Sequence, residues 1–264
     1  MWKKLPMLVD SHCHIDFAGP EARSGLIDRA RAAGVRTMLT IGTKGDELRE
    51  VIRIAETDPD IWCTVGIHPH EAEGTPDSVI DQLQGMVSHP KVVGIGETGL
   101  DFYYDHSPRD RQAHLFRAQC RLARTVGLPV VVHSRNADAD TAAILADEGM
   151  SRGVIHCFSS GRALSEPALA LGFYISISGI VTFKNADELR AIVADIPLDR
   201  LLIETDAPYL APIPLRGQTN EPAFIVHTAA KVAELKGISV EELGRITTDN
   251  FFTLFAKAQR PAAA

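Results

Sequence analysis

The chain has 264 residues, 45% of them hydrophobic and 23% charged, with a net charge of −7. This composition is that of a soluble globular protein and excludes a disordered chain, and no apolar run approaches the ~18–20 residues that a membrane helix needs. The acidic excess argues against a broad basic surface wrapped around duplex nucleic acid, yet it allows an enzyme that grips a strand end through cations.

Short β-branched runs alternate with amphipathic stretches from end to end. The opening residues, Met1 to Pro6, carry two lysines but lead into no apolar stretch of the kind a secretory leader requires. Strands are predicted at 8–12, 36–41, 62–67, 92–96, 130–133, 154–156, 173–177 and 201–204. Between them, Leu48, Val51, Ile52 and Ala55 recur at helical spacing, as do Val79, Ile80, Leu83, Met86 and Val87, and later Leu189, Ile192, Val193 and Ile196. Ser107-Pro108 reads as an N-cap followed by proline at the first helical position, with the helix stopping at Gly127. Ser239-Val240-Glu241-Glu242 reads as a capping box.

Strand–helix units recurring about every 28 residues are what right-handed βαβ connections give. Eight of them match a closed (β/α)8 TIM barrel better than the runner-up, an open doubly wound sheet. No linker, charge block or low-complexity tract divides the chain, so residues 1–264 read as a single domain with a frayed Pro261 to Ala264 tail. The cysteines Cys13, Cys63, Cys120 and Cys157 form no C-x-x-C pair, which points to reduced thiols in a cytoplasmic protein.

Histidines and carboxylates gather at the predicted strand ends: His12 and His14, Glu97, His133, His156 and Asp206, with His68-Pro69-His70 ending the third strand. In a parallel barrel those ends form one rim, so residues distant in sequence converge there. In His12-Cys13-His14 the two imidazoles share one face of an extended strand while Cys13 points away. Alone, this motif is as consistent with a chance pair of histidines as with a metal site. Joined by His133, His156 and Asp206 at equivalent ends, it points to a metal.

Gly94-Ile95-Gly96-Glu97-Thr98-Gly99 matches the G-x-G-x-x-G pattern of dinucleotide sites. Its context does not, because Leu100 to Asp105 reads as a loop and residues 111–126 hold no acidic residue for a ribose, so no dinucleotide cofactor is expected. A carboxylate here can instead bridge two cations, or pair with a rim arginine. Asp206 can ligate a cation and take a proton from water, or cap the segment that follows. His68 and Arg135 can steady a phosphate or the departing oxygen, since a guanidinium fork matches phosphate geometry, or they serve as rim hydrogen-bonding groups.

These residues stand in the motifs Asp10-Ser11-His12-Cys13-His14, Gly66-Ile67-His68-Pro69-His70, Gly96-Glu97-Thr98-Gly99-Leu100-Asp101, Val132-His133-Ser134-Arg135, His156-Cys157-Phe158-Ser159 and Glu204-Thr205-Asp206-Ala207-Pro208. Arg216-Gly217, Asn220-Glu221-Pro222 and Asn250-Phe251-Phe252 follow. The set resembles the TatD family of metal-dependent hydrolases from about residue 8 to residue 255. The resemblance implies a (β/α)8 barrel with deoxyribonuclease activity, 3′-to-5′ on DNA ends. It also implies one divalent ion on His12, His14 and Asp206 and a second on His133 and His156, with Glu97 shared. Two departures, the extra serine in Ser159-Ser160-Gly161 and Leu215 before Arg216-Gly217, bear on substrate preference and not on the metal ligands.

Two divalent ions can generate a nucleophile from water and clamp an in-line phosphoryl displacement, with Asp206 as base. Magnesium, manganese and zinc all suit such a mixed imidazole–carboxylate set. The same chemistry can attack esters or amides, such as aminoacyl-tRNA, and a metal-stabilised binding module is the non-catalytic alternative. DNA ends are therefore the expected partner, and no membrane is.

Overall fold

The computed structural model describes residues 7–261. Met1 to Pro6 and the tail residues Ala262 to Ala264, for which the sequence suggests no leader and a frayed end, lie outside them. Short runs of valine, isoleucine and leucine, each flanked by turn residues, form eight parallel strands hydrogen-bonded in sequence order. These are β1 (Leu8–Cys13), β2 (Val35–Thr40), β3 (Ile61–Val65), β4 (Val92–Asp101), β5 (Val130–Arg135), β6 (Gly153–Ile155), β7 (Tyr174–Ile177) and β8 (Leu201–Ile203).

The sheet curls into a (β/α)8 barrel. Its seam lies between β1 and the chain just past β8, where Asp206 N donates to the His12 carbonyl at 3.0 Å and His14 N to the Ala207 carbonyl at 2.8 Å. The bonds that close the seam thus also bring two of the chemically interesting strand ends together.

Packing follows from alternation along each strand. Val9, Leu39, Val93, Val131, Val154, Tyr174 and Leu202 belong to one cluster that fills the barrel. Residues of opposite phase, such as Leu8, Met38, Val130, Val132, Ile155 and Ile175, pack outward against the helices. The outer ring comprises α1 (Pro20–Ala32), α2 (Leu48–Glu56), α3 (Val79–Met86), α4 (Arg109–Val126), α5 (Asp138–Asp147), α6 (Arg162–Ala170), α7 (Asp187–Asp195) and α8 (Ile225–Lys236). The last helix, α9 (Val240–Leu254), sends Phe251 into the interior cluster together with Phe255 just beyond it, which plugs the barrel at the N-terminal ends of the strands. The opposite, C-terminal rim stays open for chemistry.

Two local expectations are revised. The fourth strand runs on to Asp101, so Leu100 and Asp101 are strand and only the residues after them turn. Ser107 does not cap α4, whose N-cap is Pro108 without a side-chain bond. The Ser107 hydroxyl is engaged elsewhere, donating to the His70 carbonyl at 2.9 Å and accepting from Glu73 N at 3.0 Å. Gly127 does end α4 in the left-handed region. Ser239 Oγ accepts from Glu242 N at 3.1 Å, which is half of a capping box, while the Glu242 carboxylate accepts from Arg245 instead. One close approach shapes the rim. A Cβ on Gly66 would run into the Gly96 backbone, and one on Gly96, at φ +133°, would sit 2.5 Å from the Val131 carbonyl.

Candidate metal centre

Glu97 is the hub. Its Oε2 lies 3.3 Å from His12 Nε2 and 3.9 Å from His14 Nε2. Asp206 Oδ1 closes that side at 3.7 Å from His12 Nε2 and 3.5 Å from His14 Nε2. The other oxygen, Oε1, faces a second histidine set: His156 Nε2 at 2.7 Å, His133 Nδ1 at 3.2 Å and His68 Nε2 at 3.3 Å. One carboxylate therefore stands between two donor groups, one oxygen turned to each.

The strands explain the convergence. Val131 and His133 of β5, and Val154 of β6 with His156 just past its end, are two apart and share the inward phase. Leu202, Glu204 and Asp206 do the same past β8. In β1 and β4 the ladder slips, between Asp10 and Cys13 and between Ile95 and Thr98, and these irregularities turn His12 and Glu97 into the barrel. Asp206 sits in the left-handed region at φ 56°, which its short polar side chain tolerates. Cys13 points outward as expected and is fully buried against the helices.

Hydrogen bonds separate the histidines into two kinds. His133 Nε2 lies 3.1 Å from Asp101 Oδ2, and His156 Nδ1 lies 3.3 Å from Glu204 Oε1. With those nitrogens donating to carboxylates, His133 Nδ1 and His156 Nε2 are the atoms that the neutral rings would offer to a cation. Against their burial, Asp101 with Glu97 raises the pKa of His133, and Glu97 with Glu204 that of His156, favouring protonated rings that donate to Glu97. His68 is the reverse. Its Nδ1 accepts from His70 N at 3.1 Å, so the neutral ring carries its proton on Nε2 and presents an N–H donor to the site.

Burial and charge set the protonation states. Burial alone would push the Glu97 carboxyl up, but His156, His68, His12 and His133 outweigh it and hold it well below the ordinary range. Burial is likewise overcome at Asp206, by His14 with His12 and His156, so its carboxylate stays ionised at neutral pH. His68 goes the other way: burial presses it down to about 4 despite Glu97, which keeps it neutral.

The donor set fits a cation. His12 is fully buried, yet neither of its ring nitrogens makes an aligned hydrogen bond, and His156 Nε2 also lacks one. Buried nitrogens without partners are costly, and a cation between them and the carboxylate oxygens would satisfy both. His12, His14 and Glu97, then His12, His156 and Asp206, and also His68, Glu97 and His133 each bring donor atoms within 4.8 Å of one another. No cysteine joins these groups among the described residues.

Arg135 stands apart. Its guanidinium lies over the rings of Tyr103 at 4.4 Å and Tyr104 at 4.7 Å, and it makes no ion pair among the described residues. Two positioning carboxylates emerge only in the structure. Asp101 reads as loop in the sequence, although its place four residues past Glu97 on one strand is a usable signal. Glu204 precedes Asp206 by two residues and so shares its face.

A family model described as TatD related DNase matches residues 9–256. The chain is 42% identical over 254 residues to the metal-dependent hydrolase YcfH of Escherichia coli strain K12, covering 94% of this chain and 95% of that protein. It is 40% identical over 244 residues to the 3′-5′ ssDNA/RNA exonuclease TatD of Pantoea vagans, covering 89% and 94%. Its fold matches the crystal structure of YjjV, a TatD homologue from Escherichia coli K12, with a TM-score of 0.90 and 31% identity over 96% of this chain and 99% of that one.

Proposed function

The chain belongs to the TatD-related DNase family of metal-dependent hydrolases, and on that premise we propose that it is a deoxyribonuclease that trims DNA strands from their 3′ ends. The observation that carries the reading is Glu97, with one oxygen toward His12 and His14 and the other toward His133 and His156. In our reading His12, His14 and Asp206 would hold one divalent cation and His133 and His156 a second, with Glu97 available to both. Magnesium, manganese or zinc suits this set.

When bound, such a pair of cations acidifies water and neutralises the charge that grows on a phosphate under attack. The protein's own groups do the rest. The Asp206 carboxylate, ionised at neutral pH, takes the proton from the attacking water as the new O–P bond forms. His68, neutral with its proton on Nε2, donates that hydrogen bond to a phosphate oxygen or to the oxygen that leaves as the P–O bond breaks. Glu204 and Asp101 keep the His156 and His133 rings oriented. Arg135 supplies a positive charge at the mouth for the next phosphate along the strand.

We read residues 1–264 as one domain, since the strands share one sheet and α9 closes its floor. We also infer a cytoplasmic location, supported by four free cysteines. Among the described residues no helix is long and apolar enough to cross a membrane.

The test is a 5′-labelled single-stranded oligonucleotide incubated with metal-stripped protein, each ion being restored in turn. Stepwise shortening that is lost in Glu97→Ala and Asp206→Ala is the expected result. Cleavage of no phosphodiester by cation-loaded protein would overturn it and direct attention to acyl substrates such as aminoacyl-tRNA.

A further inference from the structure

Exposed large apolar side chains are normally scattered singly over a surface. Here, among the described residues, they are Met7, Phe17, Tyr103, Tyr104, Tyr209 and Ile213, and all but Met7 follow the C-terminal ends of strands. They surround the metal centre, and the aromatic ones do so in two pairs.

Phe17, in the turn after β1, and Tyr209, past β8, meet edge to face with ring centroids 5.8 Å apart. Both also touch His14, at 5.7 Å and 6.1 Å. Tyr103 and Tyr104, in the turn after β4, meet edge to face at 4.9 Å, and Tyr104 lies 5.6 Å from His70. In an eight-stranded barrel, β4 stands across the rim from the β8–β1 seam. One aromatic corner therefore adjoins the His14 side of Glu97, and the other adjoins the His133 side across the mouth.

Their exposure is large for aromatic rings, 57% for Phe17 and 48% for Tyr209, 57% for Tyr103 and 49% for Tyr104. The second corner is also cationic, because the Arg135 guanidinium lies on both tyrosine rings without a carboxylate partner among the described residues. Exposed aromatic rings on either side of a phosphate-reactive centre, one pair overlaid by an unpaired guanidinium plane and its Tyr104 stacked on His106 with centroids 5.5 Å apart, complement flat nucleobases joined by phosphates.

We propose that Phe17 with Tyr209, and Tyr103 with Tyr104, are two base-stacking platforms that hold the nucleotides flanking the scissile phosphodiester. This rests on the phosphodiesterase reading above and adds the residues that hold the bases on either side of the cut.

The experiment compares kcat/KM for a short single strand with that for the same strand carrying abasic residues at its last two positions. Stacking on an aromatic side chain changes affinity by roughly 5- to 150-fold per base, so the wild-type enzyme should favour the natural strand by at least about fivefold. In Phe17→Ala/Tyr209→Ala and in Tyr103→Ala/Tyr104→Ala that ratio should fall toward one. A second readout needs no turnover. A terminal 2-aminopurine should lose fluorescence on binding metal-stripped wild-type protein, keep it with the alanine pair that removes its own platform, and lose it again with Tyr209→Phe, whose ring still stacks. Thermal melting shows whether each variant is folded.

If the wild type cuts natural and abasic strands equally, the platforms fail while the nuclease stands. The platforms fail in the same way if the variants slow both substrates alike and still quench 2-aminopurine, or if the corners instead retain a protein partner that nucleic acid does not displace. If the wild type cuts neither strand with any ion, the nuclease reading fails and takes the platforms with it.

Discussion

Replacing Asp101 by asparagine divides one buried carboxylate into its two jobs. Oδ1 accepts from the backbone N–H groups of Tyr103 at 3.0 Å and Tyr104 at 2.9 Å. Oδ2 lies 2.8 Å from His70 Nε2 and 3.1 Å from His133 Nε2. In Asp101→Asn the amide oxygen can keep the loop bonds, while the amide nitrogen sets N–H against the imidazole N–H groups. Each hydrogen bond to a charged partner contributes about 1.5–3 kcal/mol, and loss of a ligand's orienting partner typically weakens metal binding about 10- to 100-fold. Titration of metal-stripped protein with zinc against a competing chelating dye should resolve the two proposed sites. The one on the His133 side should weaken about 10- to 100-fold, and the one on His12, His14 and Asp206 should hold within about twofold. Asp101→Ala should weaken the same site and also free the Tyr103–Tyr104 turn. Two sites of undiminished affinity in Asp101→Asn would refute the claim that Asp101 positions a ligand.

Three further outcomes follow from packing and charge. Phe251→Ala opens the plug at the barrel floor and should cost about 3–5 kcal/mol in urea unfolding, with metal content unchanged in the folded fraction. Glu148, buried where α4 meets the end of α5, is held below its ordinary pKa by Arg121 and then Arg117. A depressed carboxyl stabilises the fold above its unfolded pKa near ~4.3 and loses that contribution as pH falls through the folded value. Glu148→Gln should therefore cost about 1 kcal/mol at pH 7, a modest figure because Arg121 is largely exposed, and the difference from wild type should shrink as the pH falls below about 4. Burial raises all four thiols, with Cys63 pushed up to about 12, so a thiol reagent at pH 8 should react rapidly with none in the folded protein and with four after denaturation.

The barrel was legible because its signal is repeated: eight apolar runs at even spacing admit few topologies. Most of the site was legible for a related reason, that strand ends of a barrel converge whatever lies between them. Asp101 escaped because the ladder there departs from simple alternation. Glu97 and Asp101 lie on one continuous strand, but a run of three glycines in six residues reads as a break, and the register slip before Thr98 cannot be seen in sequence. Ser107 shows the same limit at short range. It stands where a cap belongs, and a tertiary partner, the His70 carbonyl, takes its hydroxyl instead. The proton on His68 Nε2 is likewise invisible until His70 N is seen bonded to Nδ1.

The proposal that Glu97 is shared between two cations is tested most directly by anomalous diffraction from crystals loaded with manganese or zinc. We expect two peaks, one among Glu97 Oε2, His12, His14 and Asp206, the other among Glu97 Oε1, His133 and His156, with His68 Nε2 outside both coordination shells. A single peak, or a second one that Glu97 does not touch, would contradict that sharing.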